Sequence, residues 1–448
     1  MKGVAGAVIS LVAACILAAC STPPDSPATP SPSPSASPSA WPESQCRDLA
    51  ATVGAALQGV VDSYEQATGP QSTATPTASE SATPAPAVDG DSTRIQDALE
   101  EVGDAVEDLK CAAQQMRQDV DEGIDEVRAE TPLAEAVRAR LVAGLEGRIP
   151  ELPVRRAIFP DDDLHEALAE APSGSALLLS EGEWDLTGPL VLLSAVTLEG
   201  KGAGVTRLSS SAPEAAVLVA TAEPVALQSL TLARDTDVPG SGIVAGGAAT
   251  LVLSALEVTG GRPDDTGGGA GVMLVGEELA AERRTSLEAT DVVLRDNGWA
   301  GLAVAGTHRV SVTEATFSGN GECGLCFLGE SDGSVSGSAF DGNKVGVAVA
   351  ESSRPTLLDL TIDGGEVGLQ VEGSAAPIVD GATISGSSRA AVIVGGKATG
   401  ALASVVCRDV DFGIVVTDTA APTLTDNECA LARGSIGSGS PSPSPGEG

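Results

Sequence analysis

The chain has 448 residues, which is too long for one ordinary compact core and predicts about two or three structural units. Lys and Arg total 25 against 62 Asp and Glu, so the formal net charge is −37. A surface this acidic repels nucleic acid and anionic lipid headgroups, which argues against both as partners. It is consistent with solubility at a wet cell surface, and recruitment of a divalent cation such as calcium is the alternative. Aromatic residues make up only 2% of the chain, which is poor in the exposed rings that sugar-binding clefts usually need.

The first 20 residues have the pattern of a secretion signal. Lys2 supplies the positive start, residues 4–14 form an apolar run, and small residues precede Cys20. Residues 17–20, Leu-Ala-Ala-Cys, resemble the lipobox of bacterial lipoproteins. The resemblance implies cleavage before Cys20 and acylation of its thiol, with two or three acyl chains anchoring the protein at the extracytoplasmic face of the membrane. A plain signal peptide or a short membrane helix is the alternative, although the run is short for a span.

Residues 21–44 are rich in Ser, Pro, Thr and Ala and predict a disordered tether, which could reach roughly 70 Å at about 3.1 Å per residue. Residues 45–150 predict an α-helical hairpin or bundle. Apolar residues from Ile95 to Val120 alternate steps of four and three, forming a heptad seam that either packs on its own neighbours or recruits a partner helix. Thr131 and Pro132 have the residue types of an N-cap and a first helical position, so a third helix should begin there. Cys46 and Cys111 would face each other in an antiparallel pair of the earlier helices, which predicts a disulfide.

From residue 151 to 433 the sequence predicts a parallel β-solenoid of 22- or 23-residue coils. An apolar residue ahead of a turn recurs at this period: Leu294, Phe317, Phe340, Ile362, Ile384, Cys407 and Cys429. A second series, mostly glycine, opens strands: Gly301, Gly324, Gly346, Gly368, Ala391 and Gly413. Short β-branched segments at this spacing pair one coil upon the next at about 4.8 Å and bury one continuous core. Leucine-rich repeats share the period, but this chain has Gly, Ser and Thr where they need an Asn or Cys.

The start of this region carries a family resemblance. Residues 161–171 predict a short capping helix with four side chains inward: Leu164, Ala167, Leu168 and Ala171. Short strands follow from residue 175, then Gly182-Glu183-Trp184 and a Gly-x-Gly at 200–202. This order resembles the N-terminal cap and first coils of the pectin-lyase-like right-handed parallel β-helix family. The resemblance covers about residues 159–433 and implies the fold, whereas the family hosts lyases, hydrolases, epimerases, adhesins and inert scaffolds. Residues 434–448 predict a disordered Gly/Ser/Pro tail.

Several recurrent residues have a structural interpretation. Asn297, Asn320 and Asn343 fall one coil apart at one corner, where stacked amides should form a hydrogen-bonded ladder. Cys407 and Cys429 occupy equivalent positions of neighbouring coils and could form a bridge or an unbridged apolar stack, of which an oxidising compartment favours the bridge. The C-x-x-C of Cys323 and Cys326 should lie at a coil corner. It predicts a local disulfide and not redox or zinc chemistry, because no second C-x-x-C or His pair accompanies it.

The period breaks between Leu232 and Leu294, where the steps become 26 and 36 residues. Extra residues should emerge at 234–241, 259–270 and 277–284, the first two from one corner, and long loops on a rigid scaffold often carry function. The candidate catalytic residues are the loop charges Asp235, Asp264, Asp265 and Arg262, and the candidate binding residues are Arg234, Asp237, Arg295, Asp296 and Trp299. Such carboxylates could hold calcium or, with Arg, move a proton on a uronic-acid substrate, or they could simply be solvated loop charges.

Two functions fit the sequence. The first is a membrane-anchored lipoprotein, monomeric, whose β-helix is a non-catalytic binding or spacing module for a cell-envelope or extracellular polysaccharide and needs no cofactor. The second is a polysaccharide lyase or C5-epimerase acting on a uronic-acid polymer at residues 233–296. The first is favoured because the signature motifs of polygalacturonases and alginate-type epimerases are missing. Only the adjacent pair Asp264 and Asp265 resembles one of them.

Overall fold

The computed structural model describes Gln58 and residues 131–145, 148–246, 249–263, 268–275 and 284–434. Apart from Gln58 and Gly434, the signal sequence, the tether, the first two predicted helices with Cys46 and Cys111, and the tail lie outside the described residues. The chain divides into two compact units. The first contains Met1–Leu179, Leu190–Thr197 and Ala220–Ala222, and the second contains Ser180–Pro189, Leu198–Val219 and Glu223–Gly448.

Two helices and the earliest strands belong to the first unit. Helix α1 (Pro132–Leu145) begins at the predicted proline, and the Thr131 carbonyl accepts a hydrogen bond from the Glu135 N–H at 3.0 Å. Helix α2 (Leu164–Glu170) begins three residues later than expected. The reason is local, because the carboxylate of Asp163 accepts from the N–H groups of His165 and Glu166 and caps the helix there. The strands of this unit are β1 (Arg155–Ile158), β2 (Ser175–Leu179), β4 (Leu190–Leu192) and the first half of β5 (Val196–Glu199).

No helix within the described ranges has the length and apolar character needed to cross a membrane.

Three parallel sheets build the second unit, and each coil before the last contributes one strand to each sheet. In this unit sheet 1 comprises β8 (Pro224–Gln228), β11 (Thr250–Ser254), β14 (Ser286–Thr290), β17 (Arg309–Thr313), β20 (Asp332–Ser336), β23 (Arg354–Leu358), β26 (Ile378–Asp380), β29 (Ala401–Ala403) and β32 (Thr423–Thr425). Sheet 2 comprises β3 (Gly182–Leu186), β6 (Thr206–Ser210), β9 (Thr231–Ala233), β12 (Glu257–Thr259), β15 (Val293–Arg295), β18 (Thr316–Ser318), β21 (Ala339–Asp341), β24 (Thr361–Asp363), β27 (Thr383–Ser385) and β30 (Val406–Arg408). Sheet 3 comprises β7 (Glu214–Val219), β10 (Gly240–Ala245), β13 (Val272–Leu274), β16 (Ala300–Gly306), β19 (Cys323–Gly329), β22 (Val345–Val349), β25 (Val367–Val371), β28 (Ala390–Val394), β31 (Ile414–Val416) and β33 (Leu431–Arg433).

The predicted fold class is confirmed as a mainly-β, parallel solenoid of about 11 turns. The apolar series read from the sequence is one column of sheet 2, in which Leu294 pairs with Phe317, Phe317 with Phe340, and Phe340 with Ile362. All four side chains are buried. The rings of Phe317 and Phe340 stack with their centroids 4.6 Å apart and their planes 3° from parallel.

The glycine series is explained by close packing inside sheet 3. A Cβ atom on Gly324 would lie 2.7 Å from Cδ1 of Phe340 and 2.8 Å from the Gly346 carbonyl oxygen. Neither atom can move freely, because one belongs to the core ring stack and the other to the next coil. Glycine at this position therefore lets sheet 3 approach the aromatic column of sheet 2.

Each coil turns from sheet 1 to sheet 2 through one residue with positive φ. These residues are Ser229, Ala255, Asp291, Glu314, Gly337, Asp359, Gly381, Ser404 and Asp426. The non-glycine members have φ between 47° and 54°, a left-handed conformation that L-residues seldom adopt. The conformation aims the backbone N–H at the following coil, as in the bond from Glu314 to the Ser336 carbonyl at 3.1 Å. Repetition of this one-residue turn sets the same corner in every coil.

The asparagine ladder is confirmed. The Oδ1 atom of Asn320 accepts from the backbone N–H of Asn297 at 3.2 Å and from its Nδ2 at 3.0 Å. The Nδ2 atom of Asn320 donates to Oδ1 of Asn343 at 2.8 Å and to the Leu294 carbonyl at 3.0 Å. All three side chains are almost fully buried, so the ladder satisfies polar groups that water cannot reach.

Two of the predicted disulfides are confirmed, Cys323–Cys326 and Cys407–Cys429. The second joins neighbouring coils across a Cα–Cα distance of 5.0 Å, as the period predicts. The expected location of the first was wrong, because Cys323 and Cys326 both lie within strand β19 and not at a corner. The segment remains extended because Cys323 pairs with Ala300 and Val345 of the adjacent coils.

Candidate functional site

Two of the predicted insertions lie side by side where sheet 2 passes to sheet 3. The first follows β9, the second follows β12, and the Arg234 N–H donates to the Thr259 carbonyl at 3.0 Å. Gly240 and Arg262 form an antiparallel bridge between the two loops, with N–H to carbonyl distances of 2.7 and 2.8 Å. The second loop is also tied to the next coil, because the Gly261 N–H donates to Oδ1 of Asn297 at 3.0 Å. We call this surface, formed by residues 234–241, 259–263, 268–270 and 295–299, the loop corner.

Arg234, one of the candidate binding residues, lies inside the first loop and does not face outward. Its side chain is only 2% exposed, and its Nη2 atom donates to the carbonyls of Val238 at 3.0 Å and Pro239 at 3.3 Å. Its Nε and Nη1 atoms are buried and meet no hydrogen-bond partner among the described residues. Burial lowers the pKa of the guanidinium. Arg234 thus holds the first loop from inside, a role that depends on the path of the loop and leaves no periodic signal in the sequence.

Asp235 is paired with an arginine of the preceding coil. Its Oδ2 atom lies 2.6 Å from Nη2 of Arg207 and 3.4 Å from the Ser209 hydroxyl. Arg207 also lies 3.5 Å from Glu183 on the neighbouring strand β3. Asp237, two residues further along the loop, is exposed. Sequence reasoning missed Arg207 and Glu183, although stacking β3, β6 and β9 in register would have placed them beside the loop.

Arg295 and Asp296 belong to a second ionic group on later coils. Nε and Nη2 of Arg295 contact Oε1 of Glu257 at 2.9 and 2.5 Å, and Nη1 contacts Oδ2 of Asp296 at 2.5 Å. Hydrogen bonding to Asp296, and then to Glu257, raises the pKa of Arg295 against the opposing effect of its partial burial. Glu257 was also missed by sequence reasoning. The one cation of this group is thus shared between two carboxylates.

Arg262 is the arginine of the loop corner that is exposed without a carboxylate partner among the described residues. Its Nε atom makes one long contact, 3.4 Å to the Thr236 carbonyl. Trp299 is half-buried and packs on an apolar cluster that includes Ala270, Ala300 and Cys323. Arg262 is consequently the described group best placed to meet an anionic ligand.

The predicted carboxylate cluster is only partly described. Asp264 and Asp265 lie outside the described residues, and Asp235 and Asp296 belong to different ionic groups. Within the described part of the chain, no three acidic, His or Cys side chains gather as metal ligands. The arrangement that the described residues do form is a fixed surface with the paired carboxylates of Asp235 and Asp296, the exposed carboxylate of Asp237 and the exposed guanidinium of Arg262.

Comparison with known proteins supports the fold. Residues 279–431 match a protein family described as "Right handed beta helix region", which supports a right-handed β-helix domain in that part of the chain. No curated protein sequence matches the chain.

Solved structures are similar to parts of the chain at low identity. ORF18 of Geobacillus virus E2 is 12% identical with a TM-score of 0.41, over 56% of this chain and 54% of that one. The catalytic unit of the GH87 α-1,3-glucanase from Streptomyces thermodiastaticus is 15% identical with a TM-score of 0.35, over 60% and 65%. The A-module of the Azotobacter vinelandii mannuronan C-5 epimerase AlgE6 is 16% identical with a TM-score of 0.34, over 61% and 90%. The chain thus spans only 54% and 65% of the lengths of the first two proteins, and at these identities the likeness concerns the fold alone.

Proposed function

We propose that this chain is a non-catalytic binding and spacing module for a polysaccharide of the cell envelope or its surroundings, anchored outside the membrane through acylated Cys20. The observation that carries the proposal is the pairing of carboxylates at the loop corner. Asp235 is held by Arg207 at 2.6 Å, and Asp296 is held by Arg295 at 2.5 Å.

Pairing of this kind leaves each carboxylate fewer free oxygens for acid–base catalysis. A general base must bring a free oxygen within hydrogen-bond distance of the proton that it removes. The Oδ2 atom of Asp235 is instead shared between Arg207 and the Ser209 hydroxyl. The oxygens of Glu257 and Asp296 that contact Arg295 are occupied in the same way. These groups define the shape and charge of the surface, and Arg262 is the residue that would contact the polysaccharide.

Arg262 gives this surface a preference for acidic sugars. A guanidinium forms two parallel charge-assisted hydrogen bonds with a carboxylate, which suits a uronic-acid residue of a polymer. The Arg262–Gly240 bridge and the Gly261–Asn297 contact fix the backbone that carries it. Because Arg262 is exposed and the whole chain carries a net charge of −37, binding to an acidic polymer should be modest.

The test combines binding and turnover on the same samples. The purified chain with Cys20→Ala is mixed with pectate, alginate, hyaluronan or chondroitin, with and without Ca²⁺. We expect at least one polymer to retain the protein in affinity electrophoresis, without the ultraviolet absorbance of lyase products or the NMR signature of epimerised sugar. Arg262→Ala should weaken retention about tenfold, the effect of losing one charge-assisted contact, whereas Arg354→Ala, an exposed arginine of sheet 1, should not.

Turnover of any polymer that is abolished by Asp264→Ala or Asp265→Ala would replace this proposal with the lyase or epimerase alternative. Absence of retention by all four polymers would reject acidic polysaccharide as the ligand class.

A further inference from the structure

His308 is one of only two histidines in the chain, and it is completely buried in the solenoid. It lies between β16 and β17, at the corner where sheet 3 passes to sheet 1. Backbone hydrogen bonds join Thr285 to Arg309 on one side and His308 to Asp332 on the other. Thr285, Ser331 and Ser353 are equally buried at the equivalent positions of neighbouring coils. The imidazole therefore occupies a position that the adjacent coils fill with small hydroxyl side chains.

The polar atoms of this corner have few partners. No hydrogen bond of ordinary geometry reaches either ring nitrogen of His308 from the described residues, and the same is true of the Thr285 and Thr307 hydroxyls and of Nε of Arg284. A buried imidazole whose one acceptor is the backbone of Val275 has little to stabilise a second proton, and placing a charge there is costly. Burial lowers the pKa of His308, the backbone of Val275 opposes this to a smaller extent, and the positive charge of Arg284 adds to the lowering.

The charges around the corner reinforce this effect. Asp332 is shared by two arginines, with Oδ2 at 3.3 Å from Nη1 of Arg284 and Oδ1 at 2.7 Å from Nε of Arg309. One carboxylate thus balances two guanidinium groups. A second acidic residue, Glu330, is exposed in the connection between β19 and β20. The inserted segment contributes Glu277, Glu278, Glu282 and Arg283 to the sequence, all outside the described residues.

His308 lies beside both ends of the third insertion, so its protonation would affect this part of the solenoid. In the coil before it, the sheet 3 strand ends at Leu274 and the sheet 1 strand begins at Ser286. Val275 and Arg284, the described residues on either side of the third insertion, both act on the imidazole. We propose that His308 is an acid-sensitive element of the solenoid, uncharged at neutral pH, whose protonation in mild acid destabilises the corner where this insertion rejoins the stack.

The direction of the pH effect follows from linkage. In the unfolded chain His308 binds its proton at an ordinary pKa of about 6.5, and in the folded chain it does so only at lower pH. The stabilisation that comes from a neutral His308 is therefore complete above about pH 6.5 and is lost as the pH falls toward the folded-state pKa. In that window the folding equilibrium constant should decrease about tenfold for each pH unit, since one extra proton binds to the unfolded chain.

The experiment compares urea unfolding of the purified full chain between about pH 8 and pH 5, the range in which histidine titrates. His308→Ser places at this position the side chain that Ser331 and Ser353 have one and two coils later. We expect the urea concentration at the wild-type unfolding midpoint to decrease as the pH is lowered below about 6.5. The midpoint of His308→Ser should stay nearly constant over the same pH range. The matched control is His165→Gln, which removes the part-exposed histidine of α2 and should retain the wild-type pH dependence.

Imidazole NMR of the folded wild type gives a second readout that needs no folded variant. The His308 resonances should keep the chemical shifts of a neutral ring until the protein unfolds in acid. Titration of His308 in the folded state near pH 6.5 would overturn the proposal, as would an unchanged pH dependence in folded His308→Ser.

Discussion

Asn320 shows how much cohesion a single buried amide provides in this solenoid. Its side chain connects three coils, since Oδ1 accepts from two nitrogen atoms of Asn297 and Nδ2 donates to Asn343 and to the Leu294 carbonyl. Aspartate has a similar shape but lacks the donor, and alanine lacks both functions. The position therefore requires an amide, because a buried donor or acceptor that loses its partner keeps the full cost of its desolvation.

We expect Asn320→Ala to lower the free energy of unfolding by about 3 kcal/mol or more, because it leaves several buried groups unpaired at once. Asn343→Ala is the matched comparison, since Asn343 ends the ladder and its carbonyl oxygen serves only Asn320. Its cost should be smaller. Urea unfolding of both variants measures the difference, and equal losses would show that the ladder is not cooperative.

Residues whose role depends on the repeat could be predicted from the sequence, and residues whose role depends on a loop could not. The spacing of Asn297, Asn320 and Asn343 is sufficient to align their amides, because parallel coils stack in register. The burial of Arg234 depends on how residues 235–239 fold back over it, and no period describes that path. Asp235 was recognised as a loop carboxylate, but its pairing with Arg207 required the register of β6 against β9.

At the scale of elements, the last coils depend on a covalent link. Cys407 lies in β30, Cys429 lies one coil later, and the sheet 2 segment of that coil is reduced to a single bridge between Val406 and Glu428. Strand β33 makes its described pairing only with β31. A solenoid is stabilised mainly by contacts between adjacent repeats, so a terminal coil has fewer contacts than an internal one. The disulfide compensates for the missing neighbour.

The double variant Cys407→Ala/Cys429→Ala should therefore lose local stability in the last coil. A bridge across 22 residues contributes about 3 kcal/mol on the chain-entropy model. Hydrogen exchange should accelerate for residues 414–433 and stay unchanged near the Asn ladder. Cys323→Ala/Cys326→Ala is the control, because that bridge spans three residues inside β19, and retained protection of residues 414–433 in the first variant would contradict this account.

Element boundaries were predicted well where a side chain marks them. Pro132 marks the start of α1, whereas Asp161, Asp162 and Asp163 all qualify as caps for α2. The structure selects Asp163 because the carboxylate of Asp162 is used by the Phe159 N–H at 2.9 Å. Three adjacent residues of equal propensity cannot be ranked without this contact.

At the scale of the whole molecule, the first 20 residues predict that the protein is located at the extracytoplasmic face of a membrane. The proposed surface module would be held at the membrane by acylation at Cys20. Two or three acyl chains anchor a protein durably, whereas a single chain binds a membrane only marginally. The acidic chain would otherwise be repelled by anionic headgroups, given its net charge of −37.

Cys20→Ala should move the protein from the membrane fraction to the soluble fraction of cells that express it. Cys15→Ala is the matched control, because Cys15 precedes the cleavage position and should leave fractionation unchanged. Membrane association of Cys20→Ala equal to that of the wild type would reject lipid anchoring at this residue.

The parallel stacking of coils has a consequence for how such a chain can change in size. Between Val345, Val367 and Ala390 the register advances by 22 and then 23 residues, with every strand pairing of the same parallel kind. Residues 366–388 carry no asparagine of the ladder and no cysteine. Duplication or loss of this segment would join structurally equivalent positions of two coils. The solenoid could therefore lengthen or shorten by one coil, about 4.8 Å, at a time. A single in-frame duplication or deletion could thus change the length of the solenoid. The contacts of the loop corner and of the His308 corner would be unchanged.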